Sequence, residues 1–337
     1  MKRVINVLLV AVVLLFVSVT YASAQWKMRG SYNEGLALVQ DANGMCGYID
    51  KTGKVIVPCK WLRVGNFSEG LAMVADESFN WGFIDKTGKV VIPCQWLKTG
   101  FFREGLAVIQ DANFNYGYID KTGKVVIPCQ WIVAFDFSEG LAVVLGANGM
   151  RGFIDKTGKL IIPCKWKDTG AFHEGLSAVQ DANNNWGYID MTGKVIVPCK
   201  WKNAHNFSDG LAAVQNSNGM WGYIDKTGKV VAPCKWKNAN DFSDGLAAVQ
   251  NSNSMWGYID KTGKVVIPCK WKLAVSFSEG LAVVQNANSK CGFINKTGKV
   301  VIPCKWNGVG AFSEGLAVVV DANGKYGYID KTGKIIE

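Results

Sequence analysis

Apolar residues occur in three short runs in every 35 residues of this chain. In one unit the runs are residues 71–74, 82–85 and 90–92, with turn-forming residues between them. No run has the period of 3.6 residues that marks an amphipathic helix, and all are rich in residues that favour strands. Each unit is therefore predicted to be a three-stranded β-meander, and the chain to be all-β.

The turns between the runs have distinct compositions. The first turn is rich in Asn, Asp and Gly, as in residues 41–44. The second reads D-K-T-G-K, as in residues 50–54, and its Asp and Gly suit a type I turn followed by a left-handed residue. All eight prolines lie at the end of the third run, which predicts a strand end or a sheet edge there because proline cannot donate to a ladder.

A tryptophan after each third run, called here the tail Trp, marks the repeat. The nine tail Trp residues are each 35 residues apart: Trp26, Trp61, Trp96, Trp131, Trp166, Trp201, Trp236, Trp271 and Trp306. The predicted units are 26–60, 61–95, 96–130, 131–165, 166–200, 201–235, 236–270, 271–305 and 306–337. Such a periodic chain forms one structural domain, here residues 25–337.

So small a meander cannot bury its apolar face alone, so successive units must stack on each other. Propeller blades usually have four strands in about 40–45 residues. These units have three predicted strands in 35 residues, and the array begins and ends on nearly whole units. We therefore expect an open β-solenoid, with a closed ring like a β-propeller as the alternative.

The first 24 residues have the pattern of a signal peptide. Lys2 and Arg3 precede an apolar run over residues 4–19, and Ala22-Ser23-Ala24 suits cleavage after Ala24. The run is shorter than the roughly 20 residues that span a bilayer. We expect an exported protein in the periplasm, at the cell surface or outside the cell, with no membrane span after cleavage.

Charge and motifs give little support for nucleic-acid binding, catalysis or a metal site. The net charge is +10, but most lysines recur in the D-K-T-G-K turn and beside the tail Trp, so we do not expect nucleic-acid binding. Asp168-Thr169-Gly170 resembles the aspartic-protease triplet, yet that reaction needs two such carboxylates and the chain has no second triplet. His173 and His205 occupy non-equivalent positions. We expect no enzyme activity, no cofactor and no metal site.

The ten cysteines fall into two groups. Eight occupy one equivalent position and are expected to be free, buried thiols: Cys59, Cys94, Cys129, Cys164, Cys199, Cys234, Cys269 and Cys304. Cys46 and Cys291 instead begin the second run. A two- or four-residue loop in D-K-T-G-K would place these two opposite Cys59 and Cys304, as two candidate disulfides. A three-residue loop with a Gly bulge would place Cys46 opposite Pro58.

Several motifs together resemble a known family. The second run begins with Trp-Gly at Trp81, Trp186, Trp221 and Trp256, continues as G-Y-I-D-K-T-G-K, and follows an F-S-E-G-L-A lead. The chain is similar to the bacterial WG-repeat (KWG) family over nearly all of its mature length. Five units have another residue in place of this signature Trp: Cys46, Tyr116, Arg151, Cys291 and Tyr326. The resemblance implies β-rich tandem repeats that bind a partner, and it implies no catalytic residues.

The predicted function is a non-catalytic binding or scaffold module for a protein or glycan partner of the cell envelope. Specificity is expected where the units differ, in the stretches after each tail Trp and in the Asn-rich turns. The alternative is a carbohydrate-binding module whose repeated tryptophans stack on sugar rings. The candidate ligand contacts are Trp81, Trp186, Trp221 and Trp256.

Overall fold

The computed structural model describes residues 26–336, which form nine four-stranded antiparallel sheets. The predicted signal peptide and Gln25 lie outside the described residues. Each sheet uses four consecutive strands in chain order, so neighbouring strands are joined by short connections. We number the sheets as blades 1 to 9 along the chain.

The strand bounds repeat with little change from blade to blade. The first strands are Met28–Asn33, Arg63–Val64, Lys98–Thr99, Val133–Ala134, Asp168–Thr169, Asn203–Ala204, Asn238–Ala239, Leu273–Ala274 and Gly308–Val309. The second strands are Leu36–Gln40, Leu71–Ala75, Leu106–Gln110, Leu141–Leu145, Leu176–Gln180, Leu211–Gln215, Leu246–Gln250, Leu281–Gln285 and Leu316–Val320. The third strands are Cys46–Asp50, Trp81–Asp85, Tyr116–Asp120, Arg151–Asp155, Trp186–Asp190, Trp221–Asp225, Trp256–Asp260, Cys291–Asn295 and Tyr326–Asp330. The fourth strands are Val55–Trp61, Val90–Trp96, Val125–Trp131, Leu160–Trp166, Val195–Trp201, Val230–Trp236, Val265–Trp271, Val300–Trp306 and Ile335–Ile336.

The prediction of three strands per unit is wrong, because each unit has a fourth. From blade 2 onward the additional first strand is only two residues long, and it pairs with the end of the second strand. Arg63–Val64 and Lys98–Thr99 share no pattern of apolar residues, so two residues give no period to detect. The tail Trp ends the fourth strand, and in blades 1 to 8 each four-stranded sheet therefore finishes at this residue.

A tight turn precedes each second strand. Ser68 and Leu71 exchange backbone hydrogen bonds around Glu69-Gly70, and both central residues have positive φ, 54° and 87°. This is the geometry of a two-residue type I′ turn. The first central residue is Glu or Asp in every blade, so a carboxylate is held at the tip of each turn.

The third and fourth strands are joined by the D-K-T-G-K turn. Asp50 N donates to Lys54 O, and Gly53 has a φ of 82°, so the loop has three residues and a left-handed Gly. Two further register shifts follow, and Cys46 lies opposite Trp61. Cys46 therefore lies opposite neither Cys59 nor Pro58, and Cys291 likewise lies opposite Trp306 and not Cys304. The sequence pattern does not reveal the extra bulges that set this register.

The Gly of the signature Trp-Gly pair sits where two strands approach closely. A Cβ on Gly82 would lie 2.4 Å from Ile92 O and 2.7 Å from Cys94 N. These atoms belong to the backbone of the fourth strand, just around Pro93, and cannot move aside cheaply. The same approach is found in blades 1 to 8 and explains why those blades require Gly at this position.

The apolar core is divided among the interfaces between neighbouring blades. One cluster joins Trp221, Tyr223 and Trp236 of blade 6 to Phe242 and Ile259 of blade 7. Tyr223 and Phe242 meet edge to face with ring centroids 4.9 Å apart. Equivalent clusters recur along the chain, so each blade is stabilised by the next rather than by a core of its own.

Polar contacts also fasten each blade to the next. The Glu69 carboxylate accepts from Gly105 N at 3.0 Å and pairs with Lys121 at 3.0 Å. Ser68 Oγ donates to Phe102 O at 2.8 Å. The same set recurs with small changes in other blades, and we call it the blade clasp.

The two ends of the array meet through the same clasp. Glu314 of blade 9 accepts from Gly35 N at 3.1 Å and pairs with Lys51 of blade 1 at 3.0 Å. Ser313 Oγ donates to Tyr32 O, and the Tyr32 and Tyr328 rings lie 4.8 Å apart. The nine blades therefore form a closed ring. The predicted open β-solenoid is wrong, and the alternative of a propeller-like ring is correct.

Candidate binding surface

The order of the strands gives the ring two faces. Because the strands of a blade alternate in direction, the Glu-Gly turns and the D-K-T-G-K turns lie on one face, which we call the clasp face. The other face carries the turns between the second and third strands and the linkers that lead from each tail Trp into the next blade. We call it the linker face.

The clasp face is nearly the same in every blade, and its charges balance. The D-K-T-G-K turns contain two lysines each, except where Met191 replaces one, which gives 17 lysines. The carboxylates also number 17, nine at the Glu-Gly or Asp-Gly turns and eight in D-K-T-G-K, where Asn295 replaces the ninth. The repeated charged residues of this face therefore leave no excess charge.

The linker face carries the excess positive charge. We count four residues per linker, beginning one residue before the tail Trp, and the five residues of each turn between the second and third strands. The linkers contain thirteen basic residues and one acidic residue, and the turns contain two basic and six acidic residues. A surface of one sign attracts and orients a partner of the opposite sign.

The lysines are concentrated in one arc of this face. The linkers into blades 5, 6, 7 and 8 all read Lys-Trp-Lys: residues 165–167, 200–202, 235–237 and 270–272. The second lysine of each is exposed, and in blades 5, 7 and 8 it contacts the turn of its own blade. Lys237 Nζ lies 2.8 Å from Ser254 Oγ, and Lys272 Nζ lies 3.2 Å from Ser289 Oγ. We call these four linkers the lysine arc.

Blades 2 to 4 have apolar residues at the corresponding positions. Leu62, Leu97 and Ile132 replace the second lysine, and Ile132 is 49% exposed. At the turn positions that correspond to Ser254 and Ser289, blades 2 and 3 have Phe79 and Phe114, which are 58% and 69% exposed. We call these five residues the apolar arc. Sequence reasoning missed it, although two Phe residues within Asn-rich turns were visible in the sequence.

The four predicted ligand-contact tryptophans begin their third strands at the edge of the linker face. Trp221 is only 7% exposed, packs in the cluster between blades 6 and 7, and has the His205 ring 4.6 Å from its own. Trp186 and Trp256 are half-buried against the clusters of their blades, and Trp81 is half-buried too. The ring separates them by whole blades, so they form no single aromatic platform.

A histidine and a carboxylate meet between blades 6 and 7. His205 Nδ1 lies 2.8 Å from Asp241 Oδ1, and both side chains are partly exposed. The pair has no third member, because residues 26–336 contain no group of three or more His, Cys, Asp or Glu side chains placed to hold a metal ion. The contact joins two neighbouring blades.

All ten cysteines are free thiols in the structure. Burial raises the pKa of the Cys59 and Cys129 thiols to about 11, and burial also raises the pKa of the other eight. Because the thiolate is the nucleophile, these thiols are poorly reactive near neutral pH. Cys46 and Cys291 are buried, whereas the eight equivalent cysteines that were predicted to be buried are only half-buried and pack against the apolar clusters between blades.

These observations define a closed, nine-bladed β-propeller that has one repeated face and one variable face. The chain belongs to the WG-containing repeat family, as the resemblance predicted. The family profile matches residues 47–76, 81–113, 116–145, 152–185, 186–219, 221–253, 256–291 and 292–326. No curated protein matches the sequence. Among the described residues, no helix is long and apolar enough to cross a membrane.

Solved structures with a similar fold share little sequence with this chain. A eukaryotic initiation factor superposes with a TM-score of 0.65 at 12% identity, over 91% of this chain and 96% of that chain. BamB from Moraxella catarrhalis gives 0.44 at 11% identity, over 80% and 96%. The computationally designed Ika8 protein gives 0.47 at 12% identity, over 79% and 95%. At such low identity the initiation factor is evidence for the fold alone.

Proposed function

We propose that this protein is a non-catalytic binding or scaffold module of the cell envelope that holds a protein partner on its linker face. One observation carries the proposal: the clasps are repeated from blade to blade, whereas the apolar arc and the lysine arc make the linker face different from blade to blade. A surface that varies on a rigid scaffold is the usual place for recognition. The signal-peptide pattern of residues 1–24 supports export.

Site-specific photo-crosslinking in cells tests this proposal. A benzophenone amino acid would replace Asn253 on the linker face or, as the matched control in the same blade, Lys261 on the clasp face. Both residues are exposed, and neither is part of a blade clasp. We expect discrete protein adducts from position 253 and none from position 261. Equal adducts from both positions, or no adduct from either, would contradict a partner on the linker face.

The carbohydrate-binding alternative has a separate observation in its favour. Trp81, Trp186 and Trp256 each keep part of the indole exposed, and an exposed indole can stack on a sugar ring. Sedimentation with isolated peptidoglycan would test it on Trp81→Ala, with Trp221→Ala as the control. Loss of sedimentation in Trp81→Ala at an unchanged melting temperature would support glycan contact. Trp221→Ala is expected to lower the melting temperature, because Trp221 is buried.

A further inference from the structure

Two phenylalanines have a backbone conformation that their blades could adopt at lower cost with another residue. Phe79 and Phe114 have φ values of 62° and 64°. The other seven blades have Gly, Asn or Ser at this position, where Gly and Asn tolerate the left-handed region best. A bulky side chain there costs roughly 1–2 kcal/mol. Packing does not offset this cost, since both side chains are more than half exposed.

The linker residue that contacts this turn position in other blades has also changed in blades 2 and 3. In blades 5, 7 and 8 a lysine of the linker donates to the turn residue at this position, as Lys237 does to Ser254. In blades 2 and 3 the corresponding pairs are Leu62 with Phe79 and Leu97 with Phe114. Both members are apolar, in two successive blades. The change therefore replaces a polar pair on the linker face by an apolar pair, in which the Phe is exposed and the Leu is half-buried.

The charges of the face restrict what can cover this apolar arc. The lysine arc lies on the same face, in blades 5 to 8, and attracts an acidic partner. A second copy of this chain that docked through its own linker face would bring the same excess of positive charge against this one. An anionic bilayer would meet Asp76, Glu77 and Asp111, which lie within three residues of the two exposed phenylalanines.

We infer that the linker face binds an acidic polypeptide segment that also carries aromatic or aliphatic side chains. Its apolar side chains pack on Phe79, Phe114 and Ile132, and its carboxylates pair with the lysine arc. Exposed aromatic anchors of this kind commonly dominate the energy of protein interfaces. This inference rests on the proposed function, since it specifies the chemistry of the protein partner.

Polymer probes test the inference without knowledge of the natural partner. Fluorescence anisotropy would compare a labelled random copolymer of glutamate and tyrosine with poly-L-glutamate of the same length, at one ionic strength. We expect the copolymer to bind at least about tenfold more tightly, because only it offers apolar side chains to the apolar arc. Vesicles of phosphatidylcholine and phosphatidylglycerol serve as the lipid probe, and we expect no binding to them.

Two variants assign the binding to residues. Phe79→Asn with Phe114→Asn uses the residue that blade 5 has at Asn184, with a φ of 66°, so folding is preserved. It should weaken copolymer binding about tenfold and leave polyglutamate binding unchanged within about twofold. Lys202→Gln with Lys237→Gln should weaken both polymers and reduce their dependence on salt.

Three results would overturn the inference: equal affinity for the two polymers, copolymer binding that survives the phenylalanine substitutions, or binding to the vesicles alone. The adduct at position 253 is a separate readout of the proposed function. If it forms in the wild-type protein and also in the phenylalanine variant, the proposed function stands and the inference fails. If it never forms, the proposed function itself fails.

Discussion

Single residues with a left-handed backbone show what the repeat requires and where this chain departs from it. Glu or Asp accepts positive φ at each Glu-Gly or Asp-Gly turn. There the carboxylate gains a backbone amide of the next blade and, at seven of the nine turns, a lysine as well. Phe79 and Phe114 accept positive φ without any buried contact in return. Strain without local compensation indicates selection for something outside the fold.

The strain at the two phenylalanines leads to a stability prediction. We expect Phe79→Asn and Phe114→Asn each to leave the free energy of unfolding unchanged or to raise it by about 1 kcal/mol, because Asn tolerates the left-handed region better. Chemical denaturation of each variant would measure this, with Asn184→Phe as the reverse change in blade 5. A loss of more than about 1 kcal/mol in the Asn variants would show that the phenylalanines stabilise the fold.

The aspartates of the D-K-T-G-K turns predict how stability depends on pH. A hydrogen bond from the Thr hydroxyl lowers the pKa of seven of them, with help from backbone amides: Asp85, Asp120, Asp155, Asp190, Asp225, Asp260 and Asp330. Because the folded-state pKa is below the unfolded value of 3.8, their contribution is complete above about pH 4 and is lost as pH falls through the folded-state pKa.

Blade 8 supplies the matched substitution for this test, because Asn295 accepts the same bonds from Thr297 and Lys299 without titrating. Replacing Asp120, Asp155 and Asp225 by Asn should flatten the fall in the unfolding midpoint below pH 4. Thermal unfolding between pH 2.5 and 7 would measure this. An unchanged slope would mean that other carboxylates control acid unfolding.

Among the elements, the sequence predicted the second, third and fourth strands of each blade correctly and missed the short first strand. The second and third strands have recognisable apolar runs. The prolines correctly indicated an edge, since the last strand of each blade has exposed positions and no further partner. The two-residue first strand has no such signal, because its order depends on pairing with the second strand. The register of the hairpin between the third and fourth strands could not be predicted either, because no characteristic residues mark the bulges that set it.

The close approach at the signature Gly gives a prediction for this hairpin. A Cβ on Gly187 would lie 2.4 Å from Val197 O, so Gly187→Ala must push the third and fourth strands apart, which we expect to cost about 1–3 kcal/mol. Gly327 holds the same position in blade 9, yet its nearest contact would be Val319 Cγ2 at 3.9 Å.

Gly327→Ala is therefore the matched control, and it should change stability by less than about 0.5 kcal/mol. Denaturation midpoints of the two variants would be compared with that of the wild-type protein. Equal losses at both positions would mean that Gly is required there for its backbone freedom rather than for the approach of the fourth strand.

For the whole molecule, the sequence repeat did not determine whether the array of blades closes into a ring. Every interface uses one clasp, and the contact between blades 9 and 1 reproduces it without a peptide link between those blades. An array of identical interfaces forms a ring when the rotation between neighbours closes the circle, and an open structure when it does not. In this protein the rotation closes after nine blades.

Small-angle X-ray scattering on the purified protein tests closure in solution. We expect a compact profile whose maximum dimension is that of a flat ring, because the clasp between Glu314 and Lys51 joins the ends. The double variant Glu314→Gln with Tyr328→Phe removes contacts of this junction, and Glu174→Gln with Tyr188→Phe removes the corresponding contacts between covalently linked blades.

The first variant should expose the junction to amide exchange more than the second, because only the first lacks a chain connection to hold the blades together. Hydrogen exchange at blade 1 and at blade 6 would measure this. An elongated scattering profile for the wild-type protein would contradict the closed ring.

The sequence by itself determined the period, the all-β class, most of the strands and membership of the family. These follow from local patterns, since each strand, turn and tail Trp repeats in every unit. Only the tertiary structure decided the short first strand, the hairpin register, the closed ring and the separation of one variable face from one repeated face. Each of these depends on the angle and pairing between segments distant along the chain, and a local pattern of apolar and polar residues carries no information about that geometry.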